Sequence, residues 1–458
     1  MFKRLTIAIL LTFSLLALVI KPLDRSPLEE SLYYQNTIKA FDSIKNNTPR
    51  HINGDTIKVG WAKKSLIPKY KTPMAGYGAR KGAHFEGIED SIWVSAVIFD
   101  NGIYRSAYIS MDLLIIPPTL NTEKLVEGLD LESKNIYFTA SHTHSSIGGY
   151  LERLAGNLFG GTFDAKILEF IRNQTRNAII EATKNLHNAR IGYASIYAAD
   201  YITNRLVGDS LGTYDPYLRM IKIEKDNGEN GIIFSYSAHA TCYGRKQLNL
   251  SSDYPGKVVE KLEKNEKIDF IVYGAGAVGS MSPRSRHKIE SKKVMEISDG
   301  ISEELLNAFR SVGTKYEFKL HSNTINIQLR EESYKLNSYF IFRPWLFKWL
   351  VGNTKKYISY LRIGENLLVG TPCDFSGELV SPIENSLSPI KNPLSNKKLN
   401  LMINSFNGCY IGYVTDDKWY DRNDIYTYET HTMNWFGPYN GRYISELIKK
   451  TIEINENN

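Results

Sequence analysis

Three cysteines in 458 residues, Cys242, Cys373 and Cys409, exclude a disulfide framework as the basis of this fold. They read as small packing residues, with thiolate metal ligation as the sharper alternative. The net charge of +7 is spread along the chain, with no dense basic block interleaved with aromatics. That pattern argues against a nucleic-acid partner. Internal repeats and low-complexity linkers are missing between Thr56 and Ile452, so residues 56–452 are expected to form one large domain. No GxSxG elbow surrounds Ser282, which removes the usual setting of a serine nucleophile there. What remains is ordinary globular material, 42% hydrophobic and 23% charged, long enough to bury a large core.

The N-terminus is different. Lys3-Arg4 precedes an almost wholly apolar run, Leu5 to Ile20, closed by Lys21. This is short for a full span and long enough for a signal-peptide core. Residues 1–22 are therefore expected to be a signal anchor or a cleaved signal, which puts the body outside the cytoplasm. Residues 23–55, with Pro27, Asn46-Asn47 and Pro49, read as a polar tether. Beyond them, strand-like runs include Val94–Asp100, Arg105–Ser110, Ile136–Thr139, Arg190–Tyr197, Leu218–Glu224, Gly231–Ser237, Asp269–Tyr273 and Asn366–Gly370. Apolar residues at helical spacing mark helices over Asp164–Thr183 and Lys293–Phe309. The expected class is α/β (mixed α+β), a layered domain with a central mixed sheet flanked by helices.

Chemistry concentrates at the ends of the apolar runs. Ser141-His142-Thr143-His144 follows Ile136–Thr139 and leads into Gly148-Gly149-Tyr150. In an extended segment residues i and i+2 point the same way, so both imidazoles can meet one metal or one substrate. The glycine pair leaves room for backbone to approach a bound group. His239-Ala240-Thr241, GAGAVGSMSP (274–283), Cys373-Asp374 and Gly412-Tyr413-Val414 occupy comparable positions. Five such clusters look like the rim of one site, since ligands collect at the carboxyl ends of strands. Asp112 suits a supporting role there or a turn cap.

The segment from Ser141 to Tyr150 resembles the SHTHSGPGGY signature of the neutral ceramidases, which are zinc-dependent amidases. Met74-Ala75-Gly76-Tyr77-Gly78, Asn204-Arg205 with Asp215, His239 to Asp253, Val278–Pro283 and Gly412–Thr415 with Tyr428-Glu429 resemble further family segments in the same order. The resemblance implies that His142, His239, Asp374 and Tyr413 hold Zn2+. It implies that His144, Arg205 and Tyr428 hold the substrate amide and its oxyanion. Ser282 matches a serine that is either the nucleophile or a residue lining the site. Two imidazoles and a carboxylate form a typical catalytic zinc set, and zinc can bring the pKa of water down to about 7. The implied activity is cleavage of the N-acyl bond of ceramide or a related lipid, with the membrane surface as a partner.

Several positions depart from the pattern. Asp374 replaces a glutamate, Ser280 replaces an aspartate, and Glu89 stands where many members have histidine. The sequence ends soon after the last motif, where the well-known members carry an additional C-terminal β-sandwich domain. Alternatives are a zinc hydrolase for another amide or ester, a non-catalytic surface binding protein, and a serine hydrolase using Ser282. The aromatic stretch Tyr339–Val351 reads equally as a membrane-interface or acyl-channel element and as a core helix.

Overall fold

The computed structural model describes residues 16–47, 53–265, 268–386, 399–422 and 428–456. Its largest sheet has nine strands. Eight of them run in the order Phe270–Tyr273, Asn230–Ser235, Tyr217–Lys225, His187–Tyr197, Lys58–Ser65, Trp93–Asp100, Arg105–Met111 and Ile136–Ala140. Neighbours are antiparallel except for the pair at each end, which is parallel. A second sheet orders Leu320–Asn326, Tyr357–Ile363, Asn366–Gly370 and Asn400–Asn404, the last two parallel.

The two sheets pack face to face, and this explains the continuous apolar character of Trp93–Asp100. Val97 and Phe99 join Tyr108, Tyr137, Leu361, Leu368 and Met402 between the sheets. Val94, Ala96 and Ile98 point the other way, into the core beneath the helices Ala165–Lys184, Asp253–Asn265 and Glu290–Ser311. Ala165–Lys184 buries Ile167, Ile171, Thr175, Ala178, Ile179 and Ala182 at spacings of three and four. The Asp164 side chain caps it by accepting from Lys166 N. On the outer face of the second sheet lie the helices Leu32–Asn47 and Asn440–Glu456. The architecture is thus a layered α/β domain with mixed sheets flanked by helices, built on two stacked sheets.

The expected tether is not one. Residues 23–47 contain a turn that buries Leu28 and the sixteen-residue helix Leu32–Asn47. Tyr34, Thr37, Ile38, Phe41 and Ile44 form a helical stripe within polar composition, and Phe41 is fully buried. Tyr34 also donates from its hydroxyl to Glu446 of the C-terminal helix at 2.8 Å. The last residues of the N-terminal apolar run are built into the body as well, for Ile20–Pro22 pairs antiparallel with Phe340–Phe342. The rest of that run, residues 5–15, lies outside the described residues. No described helix is long and apolar enough to cross a membrane.

Candidate functional site

The three parallel pairs of the two large sheets send their carboxyl ends to one place, where backbone stitches the two sheets together. Ala275 N donates to Ala140 O at 3.0 Å, and Ser405 N donates to Ala275 O at 3.0 Å. Asn404 Nδ2 reaches Ser235 Oγ at 3.1 Å, and Tyr137 donates to Asn404 Oδ1 at 3.0 Å. The loops leaving these strands carry His142, His239, the 274–283 segment, Asp374 and the 406–413 segment. The expected clusters therefore do form one rim.

His142 and His144 converge by a different route from the extended one expected. His142 has φ +59°, a left-handed conformation that costs a non-glycine residue about 1–3 kcal/mol and tends to persist at functional sites. The turn is locked in place. His142 N donates to Leu113 O at 3.1 Å, and Nδ1–H donates to Leu114 O at 2.5 Å. Its ring stacks on Phe406 at 4.1 Å. Phe406 and Ser280, in neighbouring loops, also have positive φ.

His239 is oriented in the same manner, its Nδ1–H donating to Val278 O at 2.7 Å. These contacts fix the tautomer, leaving both Nε2 lone pairs free. The two Nε2 atoms face each other 3.0 Å apart. Burial first, then the charges of Arg205 and the other histidines, holds His239 well below the usual imidazole range. Asp374 is fully buried, and its Oδ1 lies 3.3 Å from His142 Nε2 and 3.5 Å from His239 Nε2 without a hydrogen-bond donor. Its Oδ2 accepts from Tyr410 Oη at 2.7 Å. Tyr413 Oη stands 3.5 Å from His239 Nε2. Donor atoms about 2.0–2.1 Å from a tetrahedral zinc are roughly 3.3 Å apart. Opposed lone pairs beside an orphaned buried carboxylate oxygen repel one another until a cation joins them, so these residues fit a metal ion.

Asp374 is brought to this centre by strand pairing and a close backbone approach. Asp374–Phe375 pairs in parallel with Tyr413–Val414, placing Asp374 beside Tyr413. A Cβ on Gly279 would meet Asp374 O at 2.4 Å, so only glycine permits that approach.

His144 is a separate case. It joins His142 and His239 as a buried or half-buried trio with metal-capable atoms within 4.8 Å, and no cysteine belongs to the group among the described residues. Its Nε2 is 3.3 Å from His142 Nε2, but its Nδ1 makes no hydrogen bond that would fix the ring as a ligand. Burial, then His142, Arg205 and Arg80, pushes its pKa well down, so it stays neutral near pH 7. The unbonded Nδ1 is what separates His144 from His142 and His239, whose rings are fixed by Nδ1 hydrogen bonds.

Arg205 lies on the other side. Its Nε donates to Glu429 Oε1 at 2.7 Å and Nη2 donates to Tyr413 Oη at 3.1 Å. Its guanidinium is also 5.8 Å from the Tyr428 ring. Burial opposes the charge of Arg205, but Glu429 and the two tyrosines more than offset it. Tyr428 is 46% exposed and marks the mouth.

Ser282 is brought near Arg205, whose N donates to Ser280 O at 2.9 Å. It pairs with Thr203 in a two-stranded ribbon, and no side-chain hydrogen bond joins it to a base among the described residues. Gly148 and Gly149 also serve a purpose other than the one expected. A Cβ on Gly148 would lie 2.1 Å from Gly160 O and one on Gly149 2.5 Å from Ile167 Cδ1, so the pair admits the helices Arg153–Gly160 and Ala165–Lys184 rather than a ligand. Asp112 does act as support, its Oδ2 accepting from Trp93 N at 2.9 Å and Ser252 Oγ at 3.0 Å. Glu89 lines a cavity of about 370 Å³ with Asp90, Asp112 and Lys257. Arg80, Tyr410 and Phe406 carry no motif signal, yet all three position the site. Arg80 donates to His144 O at 2.5 Å and Ala75 O at 3.0 Å. Glu429 was visible only as the neighbour of Tyr428.

Fold and site together define a layered α/β protein with a buried histidine–carboxylate centre able to hold a metal ion. The sequence matches the family described as neutral/alkaline non-lysosomal ceramidase, N-terminal, over residues 67–325. That is more than half of the chain, and the chain belongs to this family. Among solved structures, it is similar to a ceramidase complexed with C2, at 17% identity and TM-score 0.74, covering 86% of this chain and 74% of that one. It is also similar to the neutral ceramidase of Pseudomonas aeruginosa, at 18% identity and TM-score 0.74, covering 88% and 75%. No curated protein sequence matches at a comparable level.

Proposed function

We propose that the chain is a zinc-dependent amide hydrolase that cleaves the N-acyl bond of ceramide or a related N-acyl lipid, releasing fatty acid and a sphingoid base. The observation that carries the reading is the pair of opposed Nε2 atoms of His142 and His239, 3.0 Å apart beside the donorless Oδ1 of Asp374. His142, His239, Asp374 and Tyr413 would hold the ion. Bound there, zinc supplies Lewis-acid polarisation of the amide carbonyl and an acidified water.

The chain's own residues do the remainder. Arg205, held by Glu429, presents a fixed positive charge to the developing oxyanion and needs no reorganisation as the reaction proceeds. Tyr428, at the mouth, orients the amide by hydrogen bonding. His144 Nε2 takes up a proton and returns it to the departing amine. Ser282 lines the approach, since nucleophilic attack by a hydroxyl calls for a base in contact with it.

The apolar N-terminal run supports a location outside the cytoplasm at a membrane surface. A related hydrolase acting on a different N-acyl lipid or ester is the second reading. It is favoured by Glu89, which stands in place of a family histidine and lines a separate cavity. Fatty-acid release from ceramide, measured beside zinc content for the wild type and His142→Ala, tests the proposal. Loss of both in the variant is expected; full activity in a folded variant would overturn the zinc assignment.

A further inference from the structure

We infer that the face formed by the helices Arg153–Gly160 and Pro344–Leu350 docks on a lipid bilayer, beside the wall of the histidine site that carries His144. The purpose of this face rests on the N-acyl-lipid reading; its geometry does not.

The two helices touch, and the Arg153 side chain covers Gly352 at the end of the second. Each turns large apolar groups to solvent. Leu154 is 53% exposed and Leu158 56%, one turn apart. Trp345 is 53% exposed and Trp349 59%, again one turn apart, while Phe347 on the opposite side is fully buried. The aromatic stretch thus serves both roles, core on one side and open surface on the other. An exposed apolar patch of this kind marks an interaction site.

Three features choose a bilayer as the occupant. First, the N-terminal apolar run ends on this face. Arg343 N donates to Val19 O and its Nε to Ala17 O, both at 2.7 Å, and Trp345 Nε1 donates to Leu18 O at 2.9 Å. Leu16 and Leu18 are exposed beside it. Second, neither helix contains an acid. Arg153, Arg343 and Lys348 are exposed and make no ion pair among the described residues, with Glu152 at the head of the first helix as the one exposed acid adjoining either helix's first residue. Apolar side chains ringed by unpaired cations complement anionic headgroups, whereas an isologous protein contact would oppose like charges. Third, tryptophan favours the membrane–water boundary.

The same face reaches the site. Gly76 N donates to Phe159 O at 3.0 Å, and Gly78 packs against Leu158. Tyr77, between them, lies 4.8 Å from the His144 ring. The docking face therefore adjoins the wall of the centre through Gly76, Tyr77 and Gly78.

The test uses the full-length protein in vesicles of phosphatidylcholine and phosphatidylglycerol whose acyl chains carry bromine near the headgroup. Of the six tryptophans, Trp345 and Trp349 are strongly exposed, while Trp61, Trp419 and Trp435 are buried. Bromolipid is expected to quench part of the emission, and the W345F/W349F double variant should lose that part while staying vesicle-bound. Unchanged emission from vesicle-bound wild type would overturn the inference, as would a dimer in which both residues are shielded. In the kinetic arm, L154S/W349S should slow hydrolysis of vesicle-borne ceramide about tenfold, the equivalent of roughly 1.4 kcal/mol. Its rate on a short-chain N-acyl substrate in free solution should not change; equal losses on both would assign these residues to the fold and refute docking. If no N-acyl lipid is hydrolysed by any form, the functional reading fails and the quenching result still decides the docking.

Discussion

Glu429 offers a sharp test of how the charge at the site is held. Its carboxylate is 2% exposed and pairs with Arg205 at 2.7 Å, while its second oxygen is buried without a donor. At an effective dielectric of about 20, opposite charges about 4 Å apart attract by roughly 4 kcal/mol. Desolvation costs several kcal/mol per ion, so the intact pair contributes little net stability. Removing one partner is another matter. Glu429→Ala leaves Arg205 buried and unpaired, which should destabilise the fold by about 3–5 kcal/mol. Glu429→Gln keeps the shape and a hydrogen bond but surrenders the charge, and should cost about 1–3 kcal/mol. The catalytic effect should exceed the structural one. Without its anchor the Arg205 guanidinium is no longer aimed past Tyr413 toward the centre, and losing one preorganised oxyanion donor lowers kcat about 100- to 1,000-fold. The assay is steady-state fatty-acid release, with denaturant unfolding and zinc content measured on the same preparations. A folded Glu429→Ala protein with near-wild-type kcat would refute the assigned role of the Arg205–Glu429 pair. A fall in activity explained wholly by lost zinc would do the same.

Other perturbations have equally defined outcomes. Ser282→Ala should retain zinc and lose less than about tenfold in kcat; a loss of more than about 1,000-fold with zinc retained would restore the nucleophile reading. Gly148→Ala forces a Cβ into the Gly160 carbonyl and should lower the unfolding free energy by about 3 kcal/mol, read from a denaturant midpoint. Burial, with Arg362 and Lys134, lowers His321 from its ordinary value to about 4. It then contributes stability above pH about 6.5 that is lost as pH falls through about 4, amounting to roughly 3 kcal/mol. His321→Asn should flatten the decline in unfolding free energy between pH 7 and pH 4 by that amount, and an unchanged decline would count against it.

Much of the larger sheet was legible because its strands are buried on both faces and stand out as apolar runs. Phe270–Tyr273 and Ile136–Ala140 each differ from the expected strand by one residue. The second sheet was harder to see. Leu320–Asn326 carries His321, Asn323 and Asn326 among its apolar residues, which blurs its alternation. The helix Leu32–Asn47 was hidden for a related reason. Its buried stripe is narrow, and lysines, asparagines and flanking prolines dominate the local composition.

At the site, residue types and strand-end positions identified which side chains meet. Local geometry was beyond reach. The left-handed turn at His142 depends on Leu113, Leu114 and Phe406, which come from other loops. Arg80 and Tyr410 likewise act through contacts that exist only once distant strands have been stitched together.

The central claim is that a zinc centre built on His142, His239 and Asp374 drives N-acyl cleavage. The direct measurement is fatty-acid release from ceramide in detergent micelles, comparing full-length protein stripped by chelator with the same protein reloaded with zinc, and metal content recorded for each. The stripped protein is expected to release none, and release should return at one zinc per chain. Undiminished release from fully stripped protein would contradict it.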